Sequence, residues 1–317
     1  MGKPLNEHLE LLGKARSSWL YPIYVPSAYR AGSAPLLDIL AGAPRRVQEL
    51  VTIVTLPKQV VGYSLHYPWA RVITESKPGI GPARMRCLLD ADEQMHDRIV
   101  VLDDDIRNLT LLNLLEYKPN GEPRTQRYSH TFNGYSKPSS NVRGLAVMCR
   151  MADEVFKARP DVAYGAPRNG LFSNTEDPQL GVSINSRGFP ACVMFIDVER
   201  FGMREMPTPF QHHGEDLAMF LDVLENGQTS FMLRCASYDQ HETIETTIPL
   251  DPLDEVGRPH LQYTSKYYPD VHPFLRVSMK NKLGGVMRIG MNWKRWYKAT
   301  GTTADSISLP ELIKEIR

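Results

Sequence analysis

The stretch that most constrains the fold of this chain runs from Arg98 to Ile106 and reads RIVVLDDDI. Its four consecutive apolar residues, three of them β-branched, predict a strand that is buried on both faces. Three acids, Asp103, Asp104 and Asp105, follow directly. A buried parallel strand that ends in carboxylates places them at the sheet edge where open α/β folds bind ligands.

Three adjacent carboxylates repel one another unless a positive charge lies among them. A Mg²⁺ or Mn²⁺ ion that carries a diphosphate fits this requirement, because hard divalent cations take carboxylate and phosphate oxygens together. We therefore expect a metal and diphosphate site at these acids. The alternative interpretation is a solvated acidic turn after the strand.

Strand and helix patterns alternate up to residue 106, which predicts an α/β fold with a doubly wound sheet. The predicted strands up to this point are one that begins near Tyr21, Val47–Leu56, Arg71–Thr74 and the acidic strand, and the predicted helices are Pro35–Leu40, Lys58–Tyr67 and one from Pro82 to about Gln94. No GxGxxG follows the first strand and no GxxxxGK[ST] occurs in the chain. Dinucleotide-binding and P-loop proteins are therefore disfavoured.

Two places before the acidic strand offer further donor contacts. Ser27 and Arg30 follow the first strand, where a hydroxyl and a guanidinium suit a nucleotide or phosphate, although an ordinary strand-to-helix turn is the alternative. Arg84 lies in the first turn of the helix that Pro82 opens. There it is predicted to bind the donor diphosphate bidentately, and a surface arginine that covers apolar side chains is the alternative.

After the acidic strand, a helix is predicted over Gly144–Lys157 and strands over Asp161–Ala166, Ala191–Asp197 and Thr229–Cys235. Glu215 and Asp216 open another helix, where the helix dipole favours acids in any case. The functional hypothesis is that one of the two is a general base that points into the cleft. His241 follows the Thr229 strand and is a candidate metal ligand, with an ordinary structural histidine as the alternative.

Charge is sorted along the chain, although 37 Lys+Arg nearly balance 36 Asp+Glu overall. Tyr117–Arg150 holds six Lys/Arg and one acid, and Lys266–Lys298 holds eight Lys/Arg and one acid. Both segments also contain aromatic residues, and rings interleaved with cations suit nucleic acid. The 117–141 loop and the basic tail are therefore candidate DNA contacts, against the alternatives of a solvated loop and a packed subdomain with a basic face.

The four cysteines are far apart and form no CxxC pair, so we expect no zinc ribbon or disulfide framework. Each lies in an apolar run, which predicts a small buried side chain. The sequence shows no signal-peptide pattern and no apolar stretch long enough to span a membrane. A cytoplasmic location is the expectation.

Taken together, these motifs resemble those of GT-A type glycosyltransferases over residues 20–245. The resemblance rests on the strand Ile23–Val25, on Gly79–Arg84, on the acids after Leu102 and on Gly214-Glu215-Asp216. It implies a GT-A-like doubly wound mixed sheet flanked by helices, a divalent metal, and a nucleoside diphosphate sugar as donor. A catalytic domain over residues 1–245 is expected, with a basic aromatic extension or lid over 246–317.

The resemblance also implies roles for individual residues. Asp105 corresponds to the metal ligand, Asp103 to a ribose or metal contact, and Asp104 to a further contact. The base of inverting members corresponds to Asp216 or Glu215. Within the fold, the IYVPSAYR opening and the GIGPARMRCLLDA segment resemble bacteriophage glycosyltransferases associated with TET/JBP-type hydroxylases, which implies a 5-hydroxymethylpyrimidine in DNA as acceptor and the infected host's cytoplasm as location.

Three other functions remain open at this point. A GT-A enzyme could act on a glycan or a lipid-linked sugar instead of DNA. A nucleotidyltransferase also uses strand-end acids and a metal, but releases diphosphate from a nucleoside triphosphate. A non-catalytic DNA-binding module would hold DNA without any metal-dependent binding of a sugar nucleotide.

Overall fold

The computed structural model describes most of the chain as an α/β fold. The described residues are 16–111, 138–169, 180–184, 190–212, 214–240, 262–280, 286–301 and 305–308. Almost all of the 117–141 loop, together with His241, lies outside these residues. No helix among the described residues is long and apolar enough to cross a membrane.

The first half of the fold is a parallel sheet with helices between its strands. Its elements are β1 (Ile23–Pro26), α1 (Pro35–Ala41), α2 (Arg45–Gln48), β2 (Val51–Thr55), α3 (Val60–His66), β3 (Arg71–Thr74), α4 (Ile80–Glu93) and β4 (Arg98–Leu102). The strands lie in the order β3-β2-β1-β4, and all three pairings are parallel. The carboxyl ends of these strands therefore share one edge, at which the three acids after β4 emerge.

The second half adds antiparallel pairings to the same sheet. Its elements are β5 (Ile106–Leu111), α5 (Pro138–Ala158), β6 (Val162–Asn169), β7 (Leu180–Ile184), β8 (Val193–Asp197), α6 (Glu215–Glu225), β9 (Thr229–Gln240), and β12 (Asp305–Ser308). Strand β8 lies antiparallel between β4 and β6, and β9 pairs with β5, β6 and β7. A separate hairpin joins β10 (Leu275–Lys280) to β11 (Val286–Met291), followed by α7 (Trp293–Thr300). The predicted doubly wound mixed sheet flanked by helices is confirmed.

The alternation of side chains along each strand divides the core into two clusters, one on each face of the sheet. In β4, Val100 and Leu102 pack in the cluster with α5, whereas Ile99 and Val101 pack with α4 and α6. All four side chains are at most 1% exposed, so the prediction of a strand buried on both faces is confirmed. Burial on both faces holds β4 in place and thereby fixes where its acids emerge.

The structure differs from the sequence-based expectation at the start of the second strand and in an additional strand after the acids. The second strand begins at Val51, because Arg45–Gln48 forms the short helix α2 instead of strand. Strand β5 directly follows the acids, where no strand was predicted, and it exists because β9 continues to Gln240 and pairs with it. The aromatic segment near the C-terminus contributes Tyr268 and Trp296 to the core cluster beside α6, and the proposed domain boundary at 245 stays a prediction.

Candidate functional site

A cavity of about 910 Å³ opens at the carboxyl edge of β1, β2 and β4. Its volume is within the range of small-molecule sites. The lining residues come from the β1–α1 loop, the ends of β2 and β3, the start of α4, the acid turn and the segment before α6; among them are Ser27, Tyr29, Arg30, Thr55, Glu75, Lys77, Gly79, Ala83, Asp103, Asp104, Asp105 and His212. The sequence-predicted Ser27 and Arg30 thus meet the three acids.

Asp104 connects the β1–α1 loop to the end of β4 by hydrogen bonds. Its carboxylate accepts hydrogen bonds from Ser27 Oγ at 2.5 Å and from Arg30 Nη1 at 2.5 Å. The hydroxyl of Tyr63 lies 2.6 Å from Ser27 Oγ and accepts the backbone N–H of Arg30 at 3.1 Å. Because Ser27 donates its proton to Asp104, the Tyr63 hydroxyl must donate to Ser27, so the bonds form a continuous chain.

Burial is the main cause that raises the pKa of Asp104 to about 6; the neighbouring Asp105 and Asp103 add to the rise, while Ser27 and Arg30 oppose it. The side chain of Asp104 is 11% exposed and that of Arg30 is 20% exposed. The Asp104 carboxylate is therefore occupied by its hydrogen bonds to the β1–α1 loop, and Arg30 is the more accessible of the two side chains. This geometry favours an organising role for Asp104, whereas its predicted contact with the donor stays a prediction.

Asp103 is linked to the other acidic motif through Arg84. Nη2 of Arg84 lies 2.8 and 3.1 Å from the two carboxylate oxygens of Asp103, and Nη1 lies 2.6 Å from Oε1 of Glu215. Burial alone would lower the pKa of Arg84, but Asp103 and Glu215 raise it above its usual value. The predicted pair of acidic motifs is thus brought together, with a shared guanidinium between them.

The position of Arg84 is less accessible than expected for a diphosphate contact, which stays a prediction. The side chain is 3% exposed and does not line the cavity, whereas its neighbour Ala83 does. Sequence position alone suggested a diphosphate ligand, but α4 docks against α6 and directs the guanidinium between two carboxylates. Arg86, the other arginine of that turn, pairs with Glu93 and lies near Asp90.

Glu215 and Asp216 occupy the first turn of α6, as predicted, after Gly214 with a φ of +72°. Burial is the main cause that raises the pKa of both acids, and Arg84 opposes it in each case. Glu215 faces Arg84, while Asp216 is partly exposed and accepts the backbone N–H of Leu217 at 2.8 Å. Neither side chain lines the cavity, so the role of either acid as base stays a prediction. Asp216 is the better candidate, because Glu215 is held in an ion pair by Arg84.

Asp105 is held by Gln240, a residue that the sequence did not single out. The amide Nε2 of Gln240 donates to both carboxylate oxygens of Asp105, at 3.1 and 3.0 Å. Arg30 Nη1 lies 3.9 Å from the same carboxylate. Burial and the nearby Asp103 raise the pKa of Asp105. Of the three acids, Asp105 therefore has the weakest ion pairing with cationic side chains of the protein.

Cys192 differs from the expectation of a small buried side chain. It is partly exposed and has a φ of +59°, which is uncommon outside glycine. Its carbonyl accepts the N–H of Asp103 at 2.7 Å, and its thiol donates to Oε1 of Gln240 at 3.4 Å. Burial raises the pKa of the thiol, and Asp103 raises it further. Cys192 therefore supports the acid turn through its carbonyl, which binds Asp103, and its thiol, which binds Gln240.

The start of α4 touches the segment before α6 through two glycines. Gly79 has a φ of +116°, and a Cβ there would lie 2.3 Å from the carbonyl oxygen of Gln211. A Cβ on Gly81 would lie 2.5 Å from Met206 Cγ, and its N–H donates to the Gln211 carbonyl at 3.0 Å. This close approach places His212 at the cavity, although the sequence analysis did not single out that residue.

Carboxylate oxygens are the ligands that a hard divalent cation takes, so the chemistry of the acid turn fits Mg²⁺ or Mn²⁺. Arg84 brings the carboxylates of Asp103 and Glu215 together, and Arg30 forms an ion pair with Asp104. No cluster of three or more acidic, histidine or cysteine side chains among the described residues is preassembled for a metal. The fit is that of an ion held by one or two carboxylates and completed by substrate phosphates and water.

The similarity of this chain to known proteins lies in its fold and not in its sequence. No protein-family model matches it, and no curated protein matches it. Among solved structures, glucosyl-3-phosphoglycerate synthase from Mycobacterium tuberculosis, in complex with Mn²⁺, UDP and glucosyl-3-phosphoglycerate, is 11% identical, with 93% of this chain and 98% of that chain covered and a TM-score of 0.43.

Two further structures show similar agreement. GalNAc-T7 with UDP, GalNAc and Mn²⁺ is 11% identical, with 80% of this chain and 50% of that chain covered and a TM-score of 0.46. Mannose-1-phosphate geranyltransferase from Thermus thermophilus is 10% identical, with 69% of this chain and 75% of that chain covered and a TM-score of 0.36. At these identities and TM-scores, neither activity nor ligands transfer to this chain.

Proposed function

We propose that this chain is a metal-dependent glycosyltransferase that moves a sugar from a nucleoside diphosphate sugar to a hydroxymethylated pyrimidine in DNA. The observation that carries the proposal is the cavity at the carboxyl edge of the parallel strands, which three consecutive acids line together with Ser27, Arg30 and Lys77. Carboxylates and cations in one cavity match a metal-bound diphosphate with a ribose attached.

In this proposal Asp103 and Asp105 hold the metal, and His241, which lies outside the described residues, is a further candidate ligand. A divalent ion supplies Lewis-acid neutralisation of the departing diphosphate when it is bound. Arg30, the accessible partner of Asp104, adds positive charge on the phosphate side. Ser27, held by Asp104 and Tyr63, orients the nucleotide part of the donor.

The transfer step joins the hydroxyl oxygen of the acceptor to the anomeric carbon of the donor sugar. The bond from that carbon to the oxygen of the donor's diphosphate group breaks, and the nucleoside diphosphate leaves with the electron pair. The hydroxyl proton goes to a carboxylate, for which Asp216 or Glu215 is proposed. Asp216 is favoured because Glu215 already accepts a hydrogen bond from Arg84.

The DNA part of the proposal is supported by the basic and aromatic composition near the C-terminus. The exposed side chains of Lys294, Arg295 and Lys298 lie on α7, and Lys266 is also exposed. These cations suit a phosphate backbone. A base inside a duplex is poorly accessible, so flipping of the base is expected, and the 117–141 loop stays the candidate that accompanies it.

Titration calorimetry with UDP-sugars, with and without Mn²⁺, tests the donor part. Binding that needs Mn²⁺ and is lost in Asp105→Ala is the expected result, and donor-independent retention of DNA would instead indicate a binding module. An acceptor screen then compares hydroxymethylated DNA with saccharides. Release of a nucleoside diphosphate indicates glycosyl transfer, and release of diphosphate from a nucleoside triphosphate indicates a nucleotidyltransferase.

A further inference from the structure

Arg84 is a buried cation that the transfer step above does not use. Its side chain is 3% exposed, and its guanidinium is divided between two acids from different parts of the fold. One end holds both carboxylate oxygens of Asp103, at 2.8 and 3.1 Å, and the other holds Glu215 at 2.6 Å. Asp103, which lines the cavity, and Glu215, which is buried, are therefore the two ends of one three-residue unit with a buried guanidinium at its centre.

The geometry is unsuited to direct binding of the donor. Both terminal nitrogens already point at protein carboxylates, and Arg84 does not line the cavity. Arg30 contrasts with it, because Arg30 lines the cavity and its side chain is 20% exposed. A phosphate could reach Arg84 only if Asp103 or Glu215 gave up its ion pair, which is costly for the buried Glu215.

We infer that Arg84 is a positioning residue that couples Asp103 to Glu215, so that each acid depends on the other for its orientation. This inference rests on the proposed function for its purpose, because Asp103 belongs to the metal and donor site and Glu215 to the helix that carries the candidate base. Through one rigid guanidinium, the placement of the strand-end acid constrains the placement of the helix-start acid.

The planar fork of arginine is what makes this coupling specific. A lysine at position 84 keeps the charge but has one nitrogen, which cannot hold both carboxylates in the same fixed geometry. The surroundings restrain the unit as well, since α4 contacts β4 and α6 directly. Removal of one acid therefore leaves Arg84 paired with the other acid alone, and the removal also alters the orientation of that remaining acid.

A stability cycle without any ligand tests the coupling. Unfolding of Asp103→Asn, Glu215→Gln and the double variant is measured by chemical denaturation, in the wild-type background and in Arg84→Met. With Arg84 present, we expect the combined effect on the unfolding equilibrium to depart from the product of the single effects by about fivefold or more. In Arg84→Met, the effects should multiply. Simple multiplication with Arg84 present, or the same departure in Arg84→Met, overturns the inference.

If Arg84→Met does not fold, Arg84→Lys replaces it in the cycle. The logarithm of this departure from multiplication should then be less than half of its value with Arg84 present. An undiminished departure counts against the inference. Arg71→Met is the control. Arg71 forms an ion pair with Asp90, which lies on α4 as Arg84 does, and neither Arg71 nor Asp90 lines the cavity. Arg71→Met should destabilise the fold and leave the coupling between Asp103 and Glu215 unchanged.

A second measurement asks whether the coupling reaches the donor site. Calorimetry with UDP and Mn²⁺ should show about tenfold weaker binding in Glu215→Gln and at least as large a loss in Arg84→Met, with no further loss when Glu215→Gln is added to Arg84→Met and no loss in Arg71→Met. Unchanged binding in Glu215→Gln contradicts a positioning role. If the wild-type chain shows no Mn²⁺-dependent UDP binding, the proposed function fails, and the ligand-free cycle still decides whether Arg84 couples the two acids.

Discussion

Replacement of Gly79 by alanine is the perturbation for which the structure gives the clearest magnitude. The φ of +116° at Gly79 suits glycine almost alone, and forcing another residue into it costs on the order of 1–3 kcal/mol. The added Cβ would also lie 2.3 Å from the carbonyl oxygen of Gln211 and 3.0 Å from His212 Nδ1. Overpacking of this kind costs typically about 1–3 kcal/mol, so the backbone and steric costs together come to about 2–6 kcal/mol.

Two control glycines separate the backbone cost from the steric cost. Gly227 has a φ of +69°, and a Cβ added there would meet nothing within 4 Å, so Gly227→Ala should cost about 1–2 kcal/mol from the left-handed backbone alone. Gly62 lies inside α3, where a Cβ would make an ordinary 3.4 Å contact with Ala31. Gly62→Ala should therefore be neutral, or stabilising by up to about 1 kcal/mol.

The assay is chemical denaturation of the three variants beside the wild type, followed by UDP titration with Mn²⁺. Because the Gln211 carbonyl must move away from the new methyl group, His212 should shift from the cavity, and we expect about tenfold weaker binding in Gly79→Ala alone. If Gly79→Ala costs no more than Gly227→Ala, the close approach of α4 to residues 211–212 is refuted. Unchanged UDP binding would refute its link to the cavity.

Three further outcomes follow from the site and its support. Asp105→Ala should abolish sugar transfer with little change in the denaturation midpoint, and full activity would remove the metal hypothesis. The pKa of Asp90 is lowered because hydrogen bonds from Arg71 and Tyr24 outweigh the effect of burial; a lowered pKa stabilises the fold above the unfolded value of about 3.9. Stability should therefore fall as the pH drops through the folded pKa, and Asp90→Asn should flatten that acid limb in pH-dependent denaturation. Tyr63→Phe removes the donor to Ser27 and should cost about 1 kcal/mol in the same assay, and an unaltered midpoint would contradict the hydrogen-bond chain.

The parts of the fold that the sequence predicts are those set by local pattern. The buried strand before the acids, the parallel alternation through Arg71–Thr74 and the helix start at Glu215 follow from side-chain periodicity and charge, and the structure has each of them. The meeting of Ser27 and Arg30 with the acids follows from one rule, that parallel strands share a carboxyl edge.

The parts that the sequence does not predict depend on contacts between distant segments. Gln240 reaches Asp105 only because β9 continues past Cys235 and pairs with β5. The direction of the Arg84 side chain depends on how α4 docks against α6, and no local signal encodes that angle. The apolar run around Cys192 predicts only a small buried side chain. Its hydrogen bond to Asp103 arises from the antiparallel placement of β8 beside β4.

The pairing of β5 with β9 sets limits on which changes of chain length this protein tolerates. Ile106 lies opposite Gln240 in the ladder, directly after the acid turn. An insertion of one residue within β9 would slip the register and turn every following side chain to the other face of the sheet. The amide of Gln240 would then leave Asp105, so lengthening by a single residue inside β9 should disable the acid turn, whereas added residues that stay outside the ladder leave it in place.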